Sequence, residues 1–376
     1  MNKFWRTIGS VAVLALIASG CGRDDGAKDF AAGCAAVEEQ DWAAATVALA
    51  RATKACPTNT AAWYYLALSN LRLANMPAAD YAVKQAAALD PTSPEILVCD
   101  ARVAYCLKDV ERATHNWTLV AGDPSVPAQV RSQAYSDLGA LAIAQNDPET
   151  ARLHLFRGLR LNNRDPQVWY HLGKLYRDAL HFDREALECF EFYAHLAPDS
   201  DEYSRRVKDV VIPELKASVA SEMAEIAGSV SARDSGKAAS AIVEGNRLAA
   251  QNKLTLASKK FEEALKADPL SGPAALALAQ TLEKLATTTQ GSQKALTAWK
   301  AAARLSPNSK SAYVGAARLA LKVGHWSEAT ALLSRALAKD PMDPQTLDMI
   351  VTAYRKCGHG PTADAYQAYR RSLAAK

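Results

Sequence analysis

Apolar and polar residues recur in this chain with the period of a helix, in paired blocks divided by short polar breaks. Residues 245–269, GNRLAAQNKLTLASKKFEEALKADP, show one such pair, with the spacing Gly245-x11-Ala257-x3-Phe261-x2-Ala264-x4-Pro269. The pattern predicts two amphipathic helices joined by a short turn. Small residues stand where the helices must touch, and a proline stands where the second must stop. The same spacing returns along the chain, with units starting near residues 26, 60, 94, 132, 166, 200, 238, 272, 310 and 344, in steps of 34 or 38. Alanine runs through nearly every segment and no β-branched residues alternate over strand length, so an all-α fold is expected.

The units differ in how closely they keep the pattern. The first carries Gly33, Ala45, Leu49, Ala52 and Pro57, and the fourth carries Gly139, Ala151 and Leu155. In the fifth, Ala186, Phe190 and Pro198 all come one residue late after Gly173, which predicts a longer turn between its helices. Residues 200–237 lack the small-residue signature. There Tyr203, Val207 and Val210 fall where a first helix is apolar, Pro213 suits the first turn of a second, and Leu215, Val219, Met223, Ile226 and Val230 make a stripe. This stretch reads as a degenerate repeat or helical bridge, with a candidate hinge at residues 229–236.

The run Trp169-x2-Leu172-Gly173-x2-Tyr176 completes the first-helix half of a known signature. With the 34-residue step, the array resembles the tetratricopeptide repeat. That resemblance implies an α-solenoid of about ten stacked hairpins forming a right-handed superhelix. Its arrays would span 26–199 and 238–376, the second ending in a capping helix. It also implies binding of protein partners in a groove.

The amino terminus, MNKFWRTIGSVAVLALIASGCG, joins Lys3 and Arg6 to an apolar run from Val11 to Ala18 and then to Ser19-Gly20-Cys21. It resembles a bacterial lipoprotein signal peptide, with Ala18 where leucine is usual. On that resemblance residues 1–20 are removed, Cys21 is lipidated, and residues 21–25 form a short tether. The mature protein would be anchored in the bacterial cell envelope facing the periplasm, and Gly22 in place of Asp favours the outer over the inner membrane. A plain secretory peptide cut in the same small-residue run is the alternative. A retained membrane span fails because the apolar run is well short of ~20 residues.

Charge changes the picture little: 44 basic residues face 40 acidic ones, and without the leader the balance is nearer neutral, which leaves no electrostatic footprint for nucleic acid. Cys34, Cys56, Cys99, Cys106, Cys189 and Cys357 form no CxxC pair and no zinc spacing, so they read as small buried residues, with a disulfide between repeats left open. No metal ligand set, dinucleotide or phosphate loop, HExxH or GxSxG is present, so no cofactor and no enzyme are expected. An enzyme with its site in the groove and a glycan-binding protein are the competing readings. The second requires exposed aromatic residues in the groove.

In tetratricopeptide repeats the concave surface is lined by the first helix of each hairpin, on either side of its small signature residue. Carried over, the resemblance places Phe30, Tyr64, Arg72, Arg102, Tyr105, Tyr170, Lys174 and Arg177 in the amino-terminal groove. It places Lys284, Arg318, Lys322, Arg355 and Lys356 in the carboxy-terminal one, opposed by Glu283 and Asp348. The first set is aromatic with some charge. The second is mainly basic and suits an acidic segment or a chain terminus, the plainer alternative being a solvated helical face.

Overall fold

The computed structural model describes residues 24–197, 202–228 and 233–374, and the regular structure among them is entirely helical. The leader, Cys21 and most of the tether lie outside the described residues. Four hairpins come first: α1 (Asp24–Glu38) with α2 (Trp42–Ala55), α3 (Thr60–Arg72) with α4 (Met76–Leu89), α5 (Pro94–Cys106) with α6 (Val110–Gly122), and α7 (Ala128–Ala144) with α8 (Pro148–Leu161). A fifth joins α9 (Pro166–Lys174), prolonged by a π-helical turn (Leu175–Ala179), to α10 (Asp183–Leu196). Next comes α11 (Glu202–Arg206), a second π-helical turn (Val207–Val211) and α12 (Ile212–Gly228). Four more hairpins complete the chain: α13 (Ser235–Ala250) with α14 (Leu254–Ala267), α15 (Gly272–Leu285) with α16 (Thr289–Leu305), α17 (Lys310–Val323) with α18 (Trp326–Lys339), and α19 (Pro344–Lys356) with α20 (Gly360–Ala374).

These helices form two compact units. One takes the chain up to Leu172 together with Phe190–Asp209; the other takes Gly173–Cys189 and the chain from Val210 onward. Within the first four hairpins, and within the last four, each first helix packs on its own second helix, and that second helix packs on the first helix of the next hairpin of the same run. The result is an α-solenoid in each unit, in which a hairpin's apolar face is covered by its neighbours.

The small signature residues set the distance between paired helices. A Cβ on Gly139 would stand 2.6 Å from the Leu155 side chain, and one on Gly245 would stand 2.5 Å from the Phe261 ring. Both partners are fully buried, so the glycine is what admits them. The second helices α2, α6 and α8 begin on side-chain caps, where Asp41, Asp109 and Asp147 accept from the third residue beyond.

The turns within hairpins, except that between α15 and α16, share one device that no residue type announces. The middle residue is left-handed at Gln40, Ala74, Lys108, Asn146, His181 and Asn252, with φ between 55° and 65°. The following N–H then reaches back to a carbonyl of the first helix, as Asp41 does to Ala36 and Asp109 to Ala104. Glycine fills that position in two of the later turns, at Gly324 and Gly358.

Two expectations need correction. The fifth hairpin has the same three-residue turn as the first four, at residues 180–182. Its extra residue is absorbed inside the first helix as the π-helical turn, and the Phe182 N–H reaches back to Tyr176 over six residues rather than five. The second concerns Pro213, which starts no second helix: residues 202–228 are helical without a turn. A proline clashes with the carbonyl four residues before it. Here that residue is Asp209, in the π-helical turn, where the widened backbone relieves the clash. Of the apolar stripe, Leu215 is buried and Val219 half-buried, while the side chains of Met223, Ile226 and Val230 lie outside the described residues.

Cys34, Cys99, Cys106, Cys189 and Cys357 are free thiols. Among the described residues no helix is long and apolar enough to cross a membrane.

Candidate partner-binding surface

In the first unit the residues expected to line a groove are largely engaged in packing. Phe30 lies tilted against Tyr65 with ring centroids 6.3 Å apart, and Tyr64 lies 5.2 Å from the same ring. Burial pushes the Tyr64 hydroxyl well above the usual range for a phenol. Tyr105 is half-buried against Trp117 at 6.0 Å, and Tyr170 is buried among Phe190 and Tyr193. Arg72 sits over the Trp42 ring at 5.3 Å.

Arg102 is the clearest departure from a binding role. It is 8% exposed and its Nε donates to Asp137 at 2.8 Å, across from α5 to α7. Asp137 is itself 4% exposed, and burial outweighs the neighbouring guanidinium in pushing its carboxyl up to about 6. Further polar links join α6 to α5, and α7 to α9 and the turn before it. Asn116 donates to Asp100 at 2.6 Å, Ser132 donates to Asp165 at 3.0 Å, and Ser136 pairs with His171 at 2.9 Å. The sequence analysis singled out none of these. The sign available was their spacing, since Arg102–Asp137 and Ser136–His171 are each 35 residues apart, one repeat step plus one. Ser136 and His171 are 1% and 2% exposed, so this serine–histidine pair meets no substrate.

Lys174 and Arg177 belong to the second unit. Lys174 is half-buried and burial lowers its ammonium pKa, while Arg177 donates to Asp178 at 2.6 Å.

The remaining second-unit residues are exposed, but they are not equivalent. Arg318 is paired with Glu283 at 2.9 Å, and that carboxylate also accepts from Trp299 Nε1 at 2.8 Å. Arg355 donates to Gln367 at 2.6 Å and lies 3.4 Å from Asp364, and Arg370 lies 3.4 Å from Asp348. Lys322 reaches the Ala286 carbonyl at 3.4 Å, and Lys356 lies 5.8 Å from the Trp326 ring. Neither contact cancels a charge. Lys284, Lys322 and Lys356 therefore stand as a row of exposed ammonium groups, one near the end of each of α15, α17 and α19.

Among the described residues no three His, Cys, Asp or Glu side chains converge as metal ligands.

Two tetratricopeptide-repeat family models match the sequence, one over residues 30–94 and one over residues 292–349. No curated protein matches it. Solved structures similar to it include PilF of Pseudomonas aeruginosa, 21% identical over 52% of this chain and 88% of that one, with a TM-score of 0.41. PilW, a type IV pilus biogenesis factor, is 19% identical over 52% of this chain and 93% of its own, with a TM-score of 0.43. The P58(IPK) TPR domain is 15% identical over 89% of this chain and 98% of its own, with a TM-score of 0.27. At this level what those proteins do does not carry over. Tetratricopeptide repeats are thus present in both units.

Proposed function

We propose that this protein is a non-enzymatic scaffold that holds acidic segments or chain termini of partner proteins against its first-helix face. The observation that supports this most directly is the lysine row Lys284, Lys322 and Lys356, whose ammonium groups are exposed and face no carboxylate among the described residues. Three like charges repeated along a stack are a pattern an extended acidic partner can follow. The arginines that flank the row are the weaker half of the surface, because Glu283 and Asp364 already occupy them.

The test is capture. A photo-crosslinker at Lys322 in cells should recover protein neighbours. Changing Lys284, Lys322 and Lys356 together to Glu should abolish capture with helicity unchanged, and partner binding should weaken with salt, exposed charges being screened over about 8 Å at physiological ionic strength. Capture that survives the triple change makes the row a solvated face only.

The leader adds the location we propose: Cys21 lipidated, and the protein anchored in a bacterial envelope facing the periplasm, at the outer membrane. Assembly of outer-membrane proteins, pili or exported polysaccharide is the pool of roles. Two acyl chains on one thiol hold a protein stably where one does not. Cys21→Ser should therefore release it from the membrane fraction, and unchanged fractionation defeats the anchor. A glycan-binding reading gains nothing from the groove aromatics, since Tyr170 is buried and Tyr64 and Tyr105 are half-buried against neighbours.

A further inference from the structure

In a solenoid each repeat touches only its neighbours. The second unit contains one contact that breaks this rule. Residues 182–188, at the start of α10, lie against α17 and α18, and Glu188 pairs with Lys339, 151 positions further along the chain. Three side chains of that segment face the contact at helical spacing. Arg335 stacks over the Phe182 ring at 4.4 Å and stands 5.9 Å from the Tyr313 ring. Lys339 donates to Glu188 at 2.7 Å, and the lysine is only 10% exposed. Between them Glu185 is 2% exposed, close enough to Arg335 and Lys339 to feel both charges.

The character of this contact differs from the apolar cores of the hairpin–hairpin interfaces in the unit. Those are filled by residues such as Ala302, Leu333 and Ala336, all fully buried. This one is held by a guanidinium on an aromatic face and by ion pairs, including Arg184–Glu222 at 3.1 Å on its flank. Glu185 is buried with neither carboxylate oxygen hydrogen-bonded, which is costly for a permanent interface. Beside it a cavity of about 310 Å³ lies open, lined in part by Arg184, Lys300, Arg304, Tyr313 and Arg335. An interface that keeps a void and an unsatisfied carboxylate is one that opens at little loss.

We propose that the α17–α18 face built around Tyr313, Arg335 and Lys339 is a docking surface for an acidic helix led by an aromatic residue, occupied in this chain by its own residues 182–188. A partner helix of the same chemistry displaces that segment. This surface is separate from the lysine row and stands or falls without it.

The test uses the full chain. Glu188→Lys and Lys339→Glu should each speed amide exchange across residues 182–188 by about tenfold, as expected for loss of one partly buried pair. The double swap should restore protection. Unchanged exchange in both single variants, or a double swap no better than the singles, overturns the proposal. A second arm reads the surface in trans. A peptide of residues 180–197 with Ser at position 189 should bind the Phe182→Ala/Glu188→Lys chain at least about tenfold more tightly than it binds the unmodified chain. Adding Lys339→Glu should remove that gain. A peptide that binds none of these chains also overturns it.

Discussion

Arg102 and Arg318 occupy the same place in their repeats, one residue after a fully buried alanine, yet they do different things. Arg102 turns inward to Asp137 of the following first helix, with side chains 9% and 5% exposed. Arg318 turns back to Glu283 of the preceding one, with side chains 50% and 24% exposed. Both pairs span 35 residues. The position thus offers a link between successive first helices, and burial decides whether that link is a structural commitment or a surface feature a partner could take over. In the first unit a second layer of buried polar links surrounds the pair. In the second unit the equivalent layer is solvated lysine.

The largest expected effect breaks the buried member. Asp137→Ala removes the carboxylate that accepts from the buried Arg102 guanidinium and should cost about 3–5 kcal/mol. Exchange protection across α5 to α8 would be lost first, because stability in a repeat array is local. Protection unchanged there would mean that water reaches Arg102.

The helix contact set by the small residue should be the same in both units, which makes it the control. Gly139→Ala and Gly245→Ala each place a Cβ within 2.6 Å of a buried side chain. Each should cost about 1–3 kcal/mol in its own unit. A large difference between them would show that the units also differ in apolar packing.

His154 on α8 gives the first unit a pH dependence. Burial lowers its imidazole pKa to about 4, with Arg157 adding to the effect. The unfolded chain therefore binds the proton more readily, so the stability from this group is complete above about 6.5 and is lost as pH falls toward 4. The unfolding free energy followed by α8 protection should fall over that window by about 3 kcal/mol, and His154→Leu should flatten the slope. A slope unchanged in the variant assigns it to other groups.

The smallest effect is the exposed pair. Arg318→Ala should change stability by less than about 1 kcal/mol, since the pair is solvated on one side. A loss comparable to that of Asp137→Ala would erase the distinction between the two units.

Much of this molecule was legible in its residues. The alternation of helices, their pairing and the place of the tight helix contact at Gly139 and Gly245 follow from features each hairpin carries within itself: apolar period, one small residue, one stop signal. The turn residues were less legible. The left-handed position is filled by Gln, Ala, Lys, Asn or His, because the bond from the next N–H back to the helix repays the strain. Of the residues named for binding, the lysines at 284, 322 and 356 lie exposed as the repeat geometry suggests, whereas Arg102 and Tyr170 are buried.

What the sequence determined by itself was therefore the hairpin and its period, because every residue needed to form one lies within a single repeat. The tertiary structure alone decided three things. It turned an extra residue in the fifth hairpin into a π-helical turn, it chose which of two equivalent arginines would be buried, and it brought Glu188 to Lys339. Each depends on what a neighbouring or distant helix presents, and a repeat pattern repeats identically whether or not that neighbour is there.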